Sequence, residues 1–252
     1  MRKYPHKPDL EWIKQGYERW IITYKEDASE EPEFLKQQYV GFFSVQMGEA
    51  RDFAACSHAF EEPIENVLMY LREACRNLSI AIEFGLVMGN AEFFIYLSLA
   101  LIVRDNELVK QLSGFDRQRY TNPEVGCHEA SYLLAEIYAD LAGDRHASAT
   151  ERVPKAISEL SSRSLNRMEK RYIQSKVMMA KAIIDRNQEE FDKAIESRHK
   201  DFTQFWSRSD MGGFPEGLLD IDGLGLIRIA MDNGLVCNVQ SVYLPLELLA
   251  KD

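Results

Sequence analysis

The chain is poor in cysteine, and its few cysteines are not spaced for a metal site. The four thiols stand far apart, at Cys56, Cys75, Cys127 and Cys237, with no CxxC pair and no neighbouring Cys/His cluster. Zinc sites built from thiols need such closely spaced ligands. We therefore interpret the thiols as small buried hydrophobic side chains and expect no bound metal.

The sequence also lacks a long apolar run. Residues 1–14 are polar and charged, without the apolar segment of a secretory signal peptide. The longest apolar stretch, Phe93 to Val103, is about half as long as the roughly 20 residues that span a bilayer. We expect a cytoplasmic protein in a reducing compartment, with no membrane partner.

Positive charge is in deficit, because 30 Lys and Arg residues are set against 40 Asp and Glu residues. The acidic excess occurs in both halves of the chain, and no basic face is segregated, so phosphate backbones would be repelled. We expect no nucleic-acid partner. An acidic surface instead suits a basic protein partner, because complementary charge raises the association rate.

Recognisable catalytic motifs are missing as well. The sequence has no Gly-rich phosphate loop and no serine in a nucleophile-elbow context. Glu196 and His199 have the spacing of one half of a di-iron site, but the other half is absent, so we interpret residues 196–200 as a solvated helix face. Glu124 and His128 are interpreted as an ordinary surface pair, and residues 144–146 as a polar loop. We predict no catalytic residue, no cofactor and no enzymatic activity; an unrecognised metal-dependent enzyme is the alternative that metal analysis would reveal.

What the chain does contain is helical periodicity, which is nearly continuous. Asp9 is placed to cap a first helix. That helix would carry Leu10, Ile13, Tyr17, Trp20, Ile21 and Tyr24 on one side. Further helices are predicted at about 33–56, 63–87, 91–103, 123–141, 150–162, 166–185, 189–206 and 221–231. Residues 235–245 are rich in β-branched side chains and are predicted to form a short extended segment.

These segments predict an all-α protein, an array or bundle of about nine to eleven antiparallel helices and helical hairpins. One elongated domain over residues 1–252 is expected, with a division into residues 1–120 and 121–252 as the alternative. Residues 100–109 resemble residues 182–191, and both segments are predicted to be helix, tight turn, helix. Two copies are too few to predict a solenoid, and no array with a period near ~34 residues is found.

Aromatic and acidic residues cluster before the last helix. The rings are Phe202, Phe205, Trp206 and Phe214, with acids on both sides. We expect most of the rings to pack in the core. Any that are exposed would form an aromatic anchor with an acidic rim, which suits a basic protein partner.

The C-terminal sequence resembles a known family. The run from Gly213 to Leu235 (GFPEGLLDIDGLGLIRIAMDNGL), followed by VQSVYLPLELL from Val239, is similar to the ending of the family-49 immunity proteins. These proteins belong to bacterial polymorphic toxin systems. The resemblance implies a cytosolic all-helical protein that binds a cognate toxin domain and blocks it.

The residues that carry the resemblance form three short motifs and one turn. They are Phe214, Pro215, Glu216 and Gly217, then Leu224, Gly225 and Leu226, then Tyr243, Leu244 and Pro245, with Gly234 at the turn. We interpret them as residues that define the fold, because glycines suit tight turns, leucines suit burial, and proline suits a helix start. The motifs do not locate the toxin contacts.

We therefore predict an immunity protein that covers the active site or substrate channel of its toxin, which would have a basic active-site region. The predicted contact acids are Glu26, Asp27, Glu30, Glu31, Glu33, Asp210, Glu216, Asp220 and Asp222. This choice requires those carboxylates to be exposed. A helical-repeat adaptor or regulator without a toxin partner is the alternative, and both a monomer and a homodimer are compatible with the sequence.

Overall fold

The structure is a computed structural model that describes residues 1–27, 36–87, 89–115, 117, 128–161, 165, 167–208 and 211–250. These residues form ten α-helices and no strand, which confirms the all-helical prediction. The helices are α1 (Leu10–Asp27), α2 (Lys36–Ala59), α3 (Ile64–Glu83), α4 (Asn90–Val103), α5 (Asn106–Ser113), α6 (Glu129–Ala142), α7 (His146–Glu159), α8 (Arg167–Ile184), α9 (Gln188–Trp206) and α10 (Ile221–Asp232). Short 3-10 turns occupy Pro215–Leu218 and Leu246–Leu249.

Short polar side chains begin four of these helices. Asp9, Asp105, Asn187 and Asp220 precede α1, α5, α9 and α10, and each accepts a hydrogen bond of 2.9–3.1 Å from a backbone N–H in the first turn. These bonds satisfy amides that have no partner inside a helix. The predicted cap at Asp9 is confirmed.

Four helical hairpins follow one another along the chain. Helix α2 packs against α3, α4 against α5, α6 against α7, and α8 against α9. Each pair is joined through one non-glycine residue in the left-handed conformation, at Glu61, Arg104, Asp144 and Arg186. The next amide closes each turn by donating to the carbonyl five residues earlier, at 2.7–3.0 Å.

The four left-handed residues are spaced at intervals of about 40 residues, which is near the period of HEAT and armadillo repeats. The similarity between residues 100–109 and 182–191 is therefore that of the second hairpin to the fourth. The first and third hairpins have the same turn geometry as these two but different side chains, so the sequence does not show them as copies.

Helix α10 lies at the centre of the molecule. Nearly every residue from Ile221 to Ala230 is buried, and the helix packs against α4 and α8. One connected cluster of buried side chains extends from Tyr4 to Leu249 and includes residues from both sides of position 120. Membership of one core supports a single domain, which stays a prediction.

The apolar run at Phe93 to Val103 belongs to α4 and is part of this core. Phe93 and Leu97 are fully buried there. No helix in the described part of the chain is both long and apolar enough to cross a bilayer. Two cysteines, Cys56 and Cys75, are also buried as free thiols.

Helix α1 lies at the periphery and differs from the prediction at Trp20. Ile13, Tyr17 and Tyr24 are buried, but Trp20 is 57% exposed and Trp12 is 61% exposed. The indole of Trp20 lies back along its own helix, next to Gly16. A Cβ at Gly16 would be 3.4 Å from that ring. The contact with the rest of the protein is therefore narrower than the predicted apolar stripe.

The chain after α10 is neither helix nor strand over residues 235–241. Gly234, with φ +85°, turns the chain out of the helix, and Leu235 N–H donates to the Ala230 carbonyl at 2.9 Å. Only Gly and a few polar residues adopt this left-handed conformation at low cost. The segment then returns across the molecule to the turn at Leu246–Leu249.

Candidate functional site

A cleft of about 360 Å³ lies beside the loop 214–217, where α2, the end of α9 and the start of α10 meet. Four aromatic side chains line it, namely Tyr172, Phe202, Phe205 and Trp206. Four acids and two bases also line it, namely Asp52, Glu216, Asp220, Asp222, Arg51 and Arg208. The cleft therefore combines an aromatic wall with charges of both signs.

The Phe214–Gly217 motif supplies Glu216 to the lining of this cleft and packs against Trp206 of the lining. Pro215 begins the 3-10 turn, for which its fixed φ is suited. A Cβ at Gly217 would come within 2.8 Å of the Trp206 ring. The indole can pack against this loop only because the residue is glycine, so the motif positions one wall of the cleft.

An ion-pair group forms the rim. The Arg51 guanidinium donates to Asp52 Oδ1 at 2.8 and 3.0 Å and to Glu216 Oε1 at 3.0 Å. This connects α2 to the motif across 165 residues of sequence. Burial raises the pKa of Asp52 to about 6, although Arg51 opposes the shift. Glu216 Oε2 is buried and has no hydrogen-bond partner among the described residues.

A second charge group lies beneath the cleft and is buried. Arg198 of α9 donates to Asp220 Oδ1, which also accepts the Gly223 amide at 2.9 Å and so caps α10. Lys176 and Tyr172 of α8 donate to Asp222 Oδ2, Tyr172 at 2.9 Å. The four charges are at most 5% exposed. Buried ions persist only when they are paired in this way.

Burial and pairing act in opposite directions on the titration of this group. Burial lowers the pKa of Lys176 to about 8, against the opposing attraction of Asp222. Burial acts to raise the pKa of Asp222, but Lys176 and Arg198 together lower it below its ordinary value. The group is therefore held in its charged form by its own members. Asp222 Oδ1 has no hydrogen-bond partner among the described residues.

The predicted contact acids do not form one exposed surface. Asp220 is 2% exposed and Asp222 is 5% exposed, so the expectation that these two carboxylates are exposed is wrong. Their physical role explains the difference, because one caps α10 and both neutralise buried cations. Glu216 is partly exposed at the rim. Glu30, Glu31, Glu33 and Asp210 lie outside the described residues, as do the side chains of Glu26 and Asp27.

Most of the other motif residues are buried. Leu224, Leu226, Tyr243 and Leu244 are in the core, and Pro215 and Pro245 are buried too. Gly225 lies where a Cβ would come within 2.6 Å of Ser98 and would also meet Tyr138 Oη. Phe214 and Gly234 are the exceptions, because both are exposed, Phe214 by 49%. Of the four rings of the aromatic cluster, Phe202 is buried, Phe205 and Trp206 are partly exposed, and Phe214 is exposed, so the expectation that most of them pack in the core is wrong.

Three histidines hold the segment around Tyr243. His6 Nδ1 shares a hydrogen bond of 2.7 Å with Tyr243 Oη, His58 Nε2 one of 2.7 Å with the Val242 carbonyl, and His199 Nδ1 one of 3.0 Å with Ser241. Burial lowers the pKa of His6 to about 4 and also lowers the pKa of His58. These rings are therefore neutral contacts that tie the N-terminus, α2 and α9 to the last motif.

The interpretation of residues 196–200 as a solvated helix face is wrong at Arg198. This side chain is among the largest fully buried ones. Its position gave a signal, because Phe191, Ala194, Ile195, Arg198 and Phe202 follow the apolar spacing of α9. Lys176 likewise falls on the apolar face of α8. A charged residue at a core position predicts a buried partner, and that signal was missed.

The remaining candidate side chains show no catalytic arrangement. Glu196 is exposed, and His199 bonds to Ser241. Asp144 is the left-handed residue between α6 and α7, as expected for a loop, and Arg145 pairs with Asp140 at 2.8 Å. Glu124 and Cys127 lie outside the described residues. In the described ranges, no group of three or more His, Cys, Asp or Glu side chains could hold a metal ion.

A model of immunity protein 49 matches residues 38–248, which include α3 to α10, most of α2 and the cleft. The chain therefore belongs to the immunity protein 49 family, as the C-terminal motifs implied. Neither the curated proteins nor the solved structures gave a significant match.

Proposed function

We propose that this protein is an immunity protein that binds a cognate secreted toxin domain and covers its active site or substrate channel. The family match over residues 38–248 carries this proposal. Proteins of this kind need no chemistry of their own, because occlusion requires only a tight complex. The partner is therefore a protein, and no catalytic residue or cofactor is assigned.

The physical character of the molecule supports occlusion. Its core is continuous, and the ion pairs beneath the cleft connect α8, α9 and α10. A scaffold braced in this way loses little conformational entropy on binding, which favours affinity. The formal net charge of −10 favours a toxin with a basic active-site region, because opposite fields accelerate encounter.

The proposed contact face begins on helix α1. Trp12 and Trp20 are its large exposed aromatic residues, and tryptophan is over-represented among residues that dominate binding energy. A Cβ at Gly213 would lie 3.4 Å from the Trp12 ring, so Trp12 adjoins the loop that carries Phe214 and Glu216. The acids of residues 26–33 follow α1 in sequence and remain part of the proposed face.

Co-expression tests this function directly. Cells that produce the toxin encoded beside this gene should survive when this protein is present, and cells that produce an unrelated toxin should not. A complex of the two purified proteins should abolish the activity of the toxin at equimolar ratio. Survival without complex formation, or equal protection against both toxins, would contradict occlusion of a specific partner.

The helical-repeat adaptor remains a second proposal, because four hairpins with a common turn geometry follow one another at a regular interval. Arrays of this kind build extended surfaces that bind peptides or proteins. A complex with a cellular protein that forms in the absence of any toxin, together with failure of the rescue experiment, would favour the adaptor.

A further inference from the structure

The cleft beside the Phe214–Gly217 motif has the composition of a site for an organic cation. Aromatic faces attract a cation through their quadrupole, and carboxylates attract it through charge. The structure already uses this chemistry nearby, since Lys176 Nζ lies 4.1 Å from the centre of the Tyr172 ring and 4.3 Å from that of Phe94. The walls of the cleft offer the same combination to a ligand.

Two of the four acids that line the cleft have an oxygen without a hydrogen-bond donor among the described residues. These atoms are Glu216 Oε2 and Asp222 Oδ1, and both belong to side chains whose other oxygen is already paired. The Asp222 side chain is 6% exposed. A carboxylate oxygen only accepts hydrogen bonds, so a ligand that completes this site must bring N–H or O–H donors.

The two bases of the lining do not supply the missing hydrogen-bond donor. Arg51 is engaged with Asp52 and Glu216 at the rim, and Arg208 lies over the Phe205 ring at 5.9 Å. Neither arginine donates a hydrogen bond to Asp222 Oδ1. Acids outnumber bases on the lining, and the volume of about 360 Å³ is near the lower limit of ligand clefts, which fits one long side chain.

We propose that this cleft receives a lysine or arginine side chain of the toxin, with its aliphatic part against the aromatic wall and its nitrogen directed to Glu216 and Asp222. This proposal rests on the proposed function. A side chain of the partner is favoured over a free small molecule because the loop that carries Glu216 also carries the exposed Phe214 and adjoins the exposed Trp12 at Gly213. The net charge of −10 of the whole chain also favours a basic partner.

The binding experiment uses three variants of the full chain and a catalytically inactive toxin. Glu216→Gln removes the rim charge and keeps the shape, and Ile95→Trp fills the cleft. Glu151→Gln, at an exposed position of α7 outside the cleft, is the matched control. Each variant is first checked for an unchanged helical spectrum and melting temperature.

We expect Glu216→Gln and Ile95→Trp each to weaken toxin binding at least tenfold, mainly through faster dissociation, and Glu151→Gln to change it less than twofold. One exposed lysine or arginine of the toxin should, when changed to alanine, show the same loss and no further loss in combination with Glu216→Gln. If the Ile95→Trp variant bound the toxin as tightly as the wild-type chain does, the proposed role of the cleft would be overturned and the proposed immunity function would stand.

A second measurement needs no toxin and so separates the two proposals. The chain has three tryptophans, and the double variant Trp12→Phe, Trp20→Phe leaves Trp206 as the sole indole, at the cleft wall. Its fluorescence should change saturably with N-acetyl-lysine amide or N-acetyl-arginine amide at millimolar concentration, and not with the neutral N-acetyl-norleucine amide. An equal response to the neutral probe, or none to either cation, would overturn the assignment of the cleft.

Discussion

Helix α1 and the C-terminal segment 213–245 both contain aromatic and acidic residues but differ in which of them are buried. Helix α1 buries Tyr17 and Tyr24, and the C-terminal segment exposes Phe214. In the C-terminal segment, Asp220 and Asp222 are buried against cations, and Tyr243 is in the core. In α1, Trp12 and Trp20 are exposed. The C-terminal segment lies inside the family match, whereas α1 lies outside it.

Aromatic and acidic composition therefore does not distinguish the scaffold from a contact surface, whereas the burial of the side chains does. Inside the family match, the ion pairs of Lys176 with Asp222 and of Arg198 with Asp220 join helices within the protein. The part outside the match carries large side chains that make few contacts with the protein itself, which is where a surface specific to one toxin would be found.

The largest effect is expected from two aspartates that perform the same capping role in the two regions. Asp220→Ala leaves Arg198 buried without its main counter-ion, so the free energy of unfolding should fall by about 3–5 kcal/mol. Asp9→Ala removes only the cap at the start of α1, with a loss of about 1 kcal/mol. Urea denaturation followed by circular dichroism measures both.

Equal losses at Asp9 and Asp220 would contradict the distinction between the two regions. A second change, Arg198→Met, should restore part of the stability that Asp220→Ala loses, because removing both members of a buried ion pair often costs less than removing one. This result would support the assignment of Asp220 to a buried ion pair. Asp220→Asn is the intermediate case, since an amide keeps the cap of α10 but loses the charge.

The fold class was predictable because its determinants are local. Apolar spacing and short polar caps such as Asp9 act within a few residues, so the sequence contains them directly. The turns of the second and fourth hairpins were predictable for the same reason. The left-handed conformation at Glu61, Arg104 and Arg186 was not predictable, because neither Glu nor Arg favours it.

The cleft was not predictable, because it is built from distant parts of the chain. Glu216 and Arg51 are 165 residues apart, and Asp222 meets Lys176 across 46 residues. Acids next to an apolar helix are compatible both with an exposed rim and with a buried ion pair. Which of the two forms depends on whether a basic side chain from elsewhere in the chain lies within reach. The positions of Arg198 on the apolar face of α9 and of Lys176 on that of α8 were the local indications of burial.

Smaller effects on the free energy of unfolding, opposite in sign to each other, are expected when either of two helical glycines is changed to alanine. At Gly225 in α10, a Cβ would collide with Ser98 and Tyr138, whose hydroxyls share a hydrogen bond of 2.7 Å. Gly225→Ala should therefore destabilise the protein by about 1–3 kcal/mol. At Gly16 in α1, a Cβ makes only an ordinary contact with Trp20, so Gly16→Ala should stabilise by about 0.5–1 kcal/mol.

Thermal denaturation of the two alanine variants measures this difference, with the wild-type chain as the reference. The melting temperature should fall for Gly225→Ala and rise for Gly16→Ala. A fall of the melting temperature by the same amount in both variants would mean that α1 is packed as tightly as α10. Helix α1 would then not be an exposed element that is available to a partner.

The smallest effect on folding, and a large one on binding, is expected from Trp12→Ala. The side chain is 61% exposed, so the free energy of unfolding should change by less than about 0.5 kcal/mol. If α1 is the contact face, affinity for the toxin should fall at least tenfold, because exposed tryptophans dominate such interfaces. Met69→Ala on α3 is the matched control, since Met69 is 50% exposed but lies inside the family match. Loss of binding at Met69 and not at Trp12 would move the contact face from α1 to the shared scaffold.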